Sequence, residues 1–159
     1  MKKLLFVNVL ILIIFIILLD LSIRLFIPHE KWKLSISWQF IEHDNILGWK
    51  HKSNLDETYK HFTGKINYKT NNDGIRPYTS NREKENNSFR IMLVGDSTVD
   101  GVNVPEVKSL HKLLEQKLNN YHSNKKFEVI NAGVEGYAAD QVLLSTIKHI
   151  EQYKPDMVI

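Results

Sequence analysis

Ser97 stands in Gly95-Asp96-Ser97-Thr98, directly after the apolar run Phe89 to Val94. A second glycine-bearing stretch, Asn131-Ala-Gly133-Val-Glu-Gly136-Tyr137, follows the run Phe127 to Ile130. Nucleophilic acyl chemistry would run through these residues. A serine hydroxyl attacks a carbonyl only when a base takes its proton, and the tetrahedral intermediate then needs N–H donors aimed at its new oxyanion, worth roughly 3 to 4 kcal/mol each. Loops at strand ends hold both kinds of group. Standing alone, Gly95-Asp96-Ser97 reads as a turn in which Asp or Ser caps a short helix; the second glycine stretch is what turns the reading toward chemistry. The Gly-x-Ser-x-Gly elbow of the α/β-hydrolases is a poor match, because position 99 is Val.

Other chemistries are weaker. With no Cys among 159 residues there is no thiolate nucleophile, zinc ribbon or iron–sulfur site. His43, Asp44 and His51 have no helical or hairpin spacing that would gather three metal ligands, so they read as solvated loop residues. No cofactor or metal is expected. The formal charge of +3 invites nucleic acid as a partner, yet Lys2, Lys3, Asp20 and Arg24 leave residues 1–27 with +2 of it. The surplus lies beside an apolar segment rather than on a binding face, so nucleic acid is discounted.

Two βα units must position the serine. Phe89 to Val94 has the length and apolarity of a buried strand in a parallel sheet. Pro105 suits the first turn of a helix running to about Leu118, with Val107, Leu110, Leu113, Leu114 and Leu118 as its apolar stripe. Phe127 to Ile130 is a second strand, Asp140 a candidate cap for a helix with Leu143, Ile147 and Ile150 on its apolar face, and Met157 begins a third strand. The pattern predicts an α/β, flavodoxin-like, doubly wound parallel sheet of which about three strands are present. Ligands of such sheets bind beyond the carboxyl ends of the strands, where both glycine loops fall.

Three blocks, Arg90 to Thr98, Val129 to Tyr137 and Tyr153 to Ile159, resemble the SGNH (GDSL-type) hydrolase superfamily. Asp44 to Trp49 and Asn72 to Arg76 are similar to the lead-in of its membrane-anchored bacterial members, so the resemblance spans roughly residues 44–159. It implies Ser97 as nucleophile, with its own N–H and that of Gly136 as oxyanion donors; Gly133 is left to serve the turn. It implies an esterase or acyl hydrolase acting on ester substrates such as acetyl or acyl esters of envelope glycans or lipids, with an O-acyltransferase as the alternative inside the family.

The same pattern continues, in the family, with an Asn that supplies a third oxyanion donor and an Asp-x-x-His that supplies the base. Neither block is among these residues, and no Asp is followed by His three positions on. His149, nine residues into its helix, lies about 13 Å toward the opposite edge of the sheet at 1.5 Å per residue. His111 and His122 read as surface residues. No catalytic His or Asp is therefore assigned. A catalytically inactive, membrane-tethered remnant or interaction module is the rival reading.

At the amino end, Leu4 to Leu19 is apolar except for Asn8, and the apolar character resumes around Arg24 to end at Ile27-Pro28. A helix over Leu4 to Ile27 would be about 36 Å long, enough to cross a hydrocarbon core of ~30 Å. No small-residue pair follows that would suit signal peptidase, so an uncleaved single-pass anchor in the cytoplasmic membrane is predicted, with Asp20 and Arg24 paired at i, i+4. The short basic start places the amino terminus inside and the remainder outside. The organisation is then an anchor over 1–28, a juxtamembrane segment over 29–80, a polar linker over 81–88 and the catalytic-type unit over 89–159. Trp32 and Trp38 suit an interfacial aromatic belt; Thr58 to Phe62 and Lys65 to Thr70 suit a hairpin, and Asn72-Asp73-Gly74 a turn. The expectation is a piece of a longer polypeptide. An antibody raised to residues 30–80 should detect, in membranes of the source cells, a product well above 18.6 kDa.

Overall fold

A computed structural model describes residues 2–26, 39–61, 64–76, 82–121 and 124–159. They form two compact units, 1–38 and 39–159. Pro28, Trp32, Trp38 and His122 lie outside the described residues.

The described residues of the first unit form one helix, α1 (Lys2–Phe26). It is long and apolar enough to span a membrane. Arg24 Nε donates to Asp20 Oδ2 at 2.7 Å, the expected i, i+4 pair.

The second unit opens with two hairpins. β1 (Ile41–Asp44) and β2 (Gly48–His51) pair antiparallel about Asn45–Leu47, where Asp44 Oδ1 accepts the N–H groups of Ile46 and Leu47. β3 (Asp56–His61) and β4 (Gly64–Lys69) form the expected second hairpin. Ile66 and Tyr68 of β4 are buried, and so is Phe40, just before β1, whose ring stacks on that of Tyr68 at 5.0 Å. The turn at Asn72-Asp73-Gly74 is also present, closed by a bond from Gly74 N–H to Asn71 O at 3.0 Å.

A three-stranded parallel sheet follows: β5 (Ser88–Leu93), β6 (Lys126–Asn131) and β7 (Met157–Val158), in the order β6-β5-β7. The mixed α/β class is therefore as expected. Alternation along β5 divides its side chains between two faces. Ile91 and Leu93 join Val129, Leu114 and Leu118 on one, whereas Met92 joins Ile130, Ile75 and Tyr153 on the other. Arg90 is buried within the strand, and its guanidinium bonds Glu128 and the carbonyls of Arg82, Glu83 and Tyr153.

Both longer helices depart from expectation. The predicted helix from Pro105 is a 3₁₀ turn over Glu106–Lys108, followed after Ser109 by α3 (Leu110–Tyr121). The break re-phases the helix: Val107 is exposed, and His111, read as a surface residue, is fully buried. The last helix, α4 (Ala139–Tyr153), is not capped by Asp140. Ala138 is its N-cap residue, and the Ala138 N–H donates to Gln141 Oε1 at 3.0 Å. Its expected apolar face is reversed, with Leu143, Ile147 and Ile150 exposed while Ser145, His149 and Tyr153 are buried. Hydrogen bonds satisfy that polar face: Ser145 Oγ lies 3.2 Å from His149 Nδ1, and the Tyr153 hydroxyl donates to Asp73 at 2.5 Å and accepts from Asn71 at 2.9 Å.

Burial, with the Lys148 charge adding to it and Asp73 opposing, lowers the His149 pKa from 6.5 to about 4. Unfolding therefore takes up a proton between these values. The stability this residue permits is complete above pH 6.5 and declines by about 1.4 kcal/mol per pH unit as pH falls toward 4. His149→Gln is expected to flatten this interval, reducing by about 2 to 3 kcal/mol the difference in unfolding free energy between pH 7 and pH 4.5 measured by denaturant titration.

Candidate active site

β5 ends at Leu93, and the chain must turn at once. Gly95 is required there, because a Cβ on it would stand 2.6 Å from Val99 Cγ2. Asp96 then adopts extended backbone and caps the one-turn helix α2 (Ser97–Asp100), its Oδ1 accepting the Thr98 N–H at 2.9 Å. Hydrogen bonds from Thr98, foremost from its backbone N–H, hold the Asp96 carboxyl below the usual carboxylate range. Gly101, at φ +64°, closes the turn by donating to Ser97 O at 3.0 Å. Ser97 is exposed at the first position of this helix, and neither its hydroxyl nor its N–H bonds any described residue.

The second glycine loop is stitched to this turn. The Ala132 N–H donates to Leu93 O at 2.8 Å and the Val134 N–H to Gly95 O at 3.1 Å, continuing the parallel register past the strand ends. Gly133 sits where a Cβ would fall 2.5 Å from Asp100 N and 2.8 Å from Val99 Cβ. Its role is close approach to α2; the left-handed turn residue of this loop is Gly136, at φ +80°. The Gly136 N–H, like that of Ser97, donates to no described residue.

The first hairpin clasps the same loop. Trp49 Nε1 donates to Glu135 O at 3.0 Å, the Tyr137 hydroxyl donates to Trp49 O at 2.7 Å, and Gln141 Nε2 donates to Leu47 O at 2.6 Å. Trp49 lies against Gly136, where an added Cβ would meet its ring at 3.3 Å. Leu47, Val134 and Tyr137 are buried together beneath this contact. Burial pushes the Tyr137 hydroxyl pKa well up, so it remains a neutral donor.

Behind Ser97 lies a group of buried polar residues that motif reading did not assign. Asp100 is fully buried; Tyr68 donates to its Oδ1 at 2.7 Å, and His51 Nε2 lies 3.3 Å from its Oδ2 without the alignment of a hydrogen bond. The Tyr68 pKa is raised well above 10, first by burial and then by Asp100. Arg76, also buried, bonds Glu106 at 2.8 Å and lies over the Tyr68 ring at 4.4 Å. Burial pushes the Glu106 carboxyl up, but the hydrogen bond from His111 and the charge of Arg76 outweigh it, and the net shift is downward. The available signals were Arg76 in the lead-in block and Asp100-Gly101 just after Ser97; nothing in their local periodicity announced burial.

No hydrogen bond joins Ser97 to a described histidine. His149 lines a small cleft with Ala132, Gly133, Tyr137, Lys50 and Lys148. His111 and His51 belong to the buried group, and His43 is exposed and bonds Asn45. Among the described residues no group of three His, Asp or Glu side chains is placed to hold a metal ion. No family model matches the chain, and no curated protein matches it.

The contact at Gly133 gives a direct test of how the two loops are held together. Gly133→Ala should cost about 1 to 3 kcal/mol of unfolding free energy in denaturant titration, because both the Asp100 backbone and the branched Val99 side chain would have to shift.

Proposed function

We propose that this chain belongs to a membrane-anchored serine esterase or acyl hydrolase of the SGNH type. Ser97 would be its nucleophile, and the N–H groups of Ser97 and Gly136 its oxyanion donors. The observation that carries the reading is the exposed, unbonded Ser97 at the carboxyl end of the central strand, with the second glycine loop tied to its turn by the Val134 N–H to Gly95 O bond. The β6-β5-β7 order supports the flavodoxin-like arrangement, in which the crevice beside the first strand receives the ligand.

In this reading Ser97 Oγ bonds to the acyl carbon of an ester while its proton passes to a base. The carbonyl oxygen becomes the oxyanion, and collapse of the intermediate breaks the ester C–O bond and releases the alcohol, protonated by that base. Water then takes the acyl group from Ser97; a second hydroxyl in its place makes the enzyme an acyltransferase. The sequence has no Asp-x-x-His, and no described imidazole is hydrogen-bonded to Ser97, so in this reading the base comes from outside the described residues. The second reading is a non-catalytic membrane-tethered module, favoured by the absence of a base bonded to Ser97 among the described residues.

With α1, long and apolar enough to span a membrane, read as an anchor in the cytoplasmic membrane, esters of envelope glycans or lipids on its outer side are the substrate class proposed. Treating native membranes with a fluorophosphonate probe should label the protein at Ser97, and Ser97→Ala should abolish both labelling and ester hydrolysis. Hydrolysis surviving in Ser97→Ala rejects the assignment; absence of labelling in the unaltered protein supports the non-catalytic module.

A further inference from the structure

A helix of one turn does not sustain itself, because nucleation fixes several residues for a single bond and its last carbonyls have no partner within it. In α2 those carbonyls are taken by two buried side chains. Asn131 Nδ2 donates to Val99 O at 2.8 Å and to Asp100 O at 3.2 Å. Arg76 Nη1 donates to Asp100 O at 2.8 Å and to Gly101 O at 3.1 Å. A cation at the carbonyl end also matches the polarity of the peptide dipoles.

These two side chains are joined behind the helix. Arg76 Nη2 bonds Glu106 Oε2 at 2.8 Å, Glu106 Oε1 accepts from His111 Nε2 at 2.8 Å, and His111 Nδ1 lies 3.1 Å from Asn131 Nδ2. The amide can only donate there, which makes Nδ1 the acceptor and puts the imidazole proton on Nε2, facing Glu106. The backbones of Arg76 and Asn131 close the ring by exchanging both bonds, at 3.1 and 2.6 Å. Asn131 Oδ1 accepts the Gly133 N–H at 3.0 Å, so the amide that holds α2 also holds the second glycine loop.

We propose that Arg76 is a positioning residue for Ser97, fixing α2 against the second glycine loop through the Glu106–His111–Asn131 ring. The proposal rests on the hydrolase reading for its consequence in catalysis, but its structural half stands without it. A buried guanidinium is a costly way to fill space, and here its planar fork reaches two carbonyls and a carboxylate at once, which the single ammonium of lysine does not.

Arg76→Lys and Glu106→Gln, made in the full membrane-bound protein in detergent, test this with two readouts. The first is the rate of fluorophosphonate labelling as a function of probe concentration. The second is amide hydrogen exchange across residues 97–101 relative to β5 and β6. Expected in Arg76→Lys is a fall of about 10- to 100-fold in the limiting labelling rate at an unchanged half-saturating probe concentration. Exchange should accelerate at Val99, Asp100 and Gly101 while the two strands stay as protected as before. Glu106→Gln, which keeps one hydrogen-bonding oxygen but loses the charge, should show a smaller change of the same kind, and it decides the matter if Arg76→Lys does not fold. An unchanged limiting rate, or faster exchange spread evenly over the sheet, overturns the proposal. If unaltered protein is not labelled at Ser97, the hydrolase reading fails separately. Exchange then judges the clamp: selective loss of protection at 99–101 supports it, and unchanged protection overturns it.

Discussion

The side chain of Asn131 touches, within hydrogen-bonding distance, the carbonyls of Val99 and Asp100, the N–H of Gly133 and the ring of His111, while its backbone pairs with Arg76. Remove that amide and three segments lose a shared reference: the Ser97 turn, the second glycine loop and the start of α3 at His111. Apolar packing does not supply such a reference. It presses surfaces together without direction, whereas a carboxamide with a donor side and an acceptor side fixes which carbonyl and which N–H it meets. The sheet provides the platform, and the amide determines how the loops above it are arranged.

A polar interior of this kind is stable only when nearly every group has a partner, because an unpaired buried charge costs several kcal/mol. The hairpins meet that condition. Tyr68 on β4 covers Arg76 and donates to Asp100, and His51 at the end of β2 comes within 3.3 Å of the same carboxylate. Of the three buried side-chain atoms without a hydrogen bond among the described residues, two, Arg76 Nε and Asp100 Oδ2, belong to this interior. The hairpin segment thus encloses the charged interior behind the Ser97 turn.

Much of the frame is legible in the residues because periodicity and turn chemistry act locally. Phe89 to Leu93 alternates between two covered faces, Gly95 sits where a side chain would strike Val99, and the apolar run of α1 is long enough to span a membrane. Other features answer to distant partners and leave no local trace. The β1–β2 hairpin has four-residue strands carrying Glu42, His43 and Lys50, with no apolar alternation to mark it. His111 is buried because a break at Ser109 re-phases α3, and Ser145, His149 and Tyr153 face inward because Asp73 and Asn71 await the tyrosine hydroxyl. In α4 the hydrophobicity rule selected the wrong side, since hydrogen-bond satisfaction outranked apolar area at that interface.

The site itself divides the same way. Ser97 and Gly136 belong to motifs whose spacing is local, so sequence alone singles them out. What holds them apart at a set distance comes from positions 49, 76, 106 and 131, contributed by four different segments. Trp49 is the plainest case: it bonds Glu135 O and lies under Gly136, so the conformation of the glycine loop depends on a residue 87 positions earlier in the chain. A tryptophan suits this task because its ring gives a broad rigid surface and its single N–H must find an acceptor, which aligns the surface with one carbonyl. The loop is therefore specified from two directions, by Asn131 from within and by Trp49 from outside. Its glycine at φ +80° takes the left-handed conformation without the steric cost that a side chain would bring.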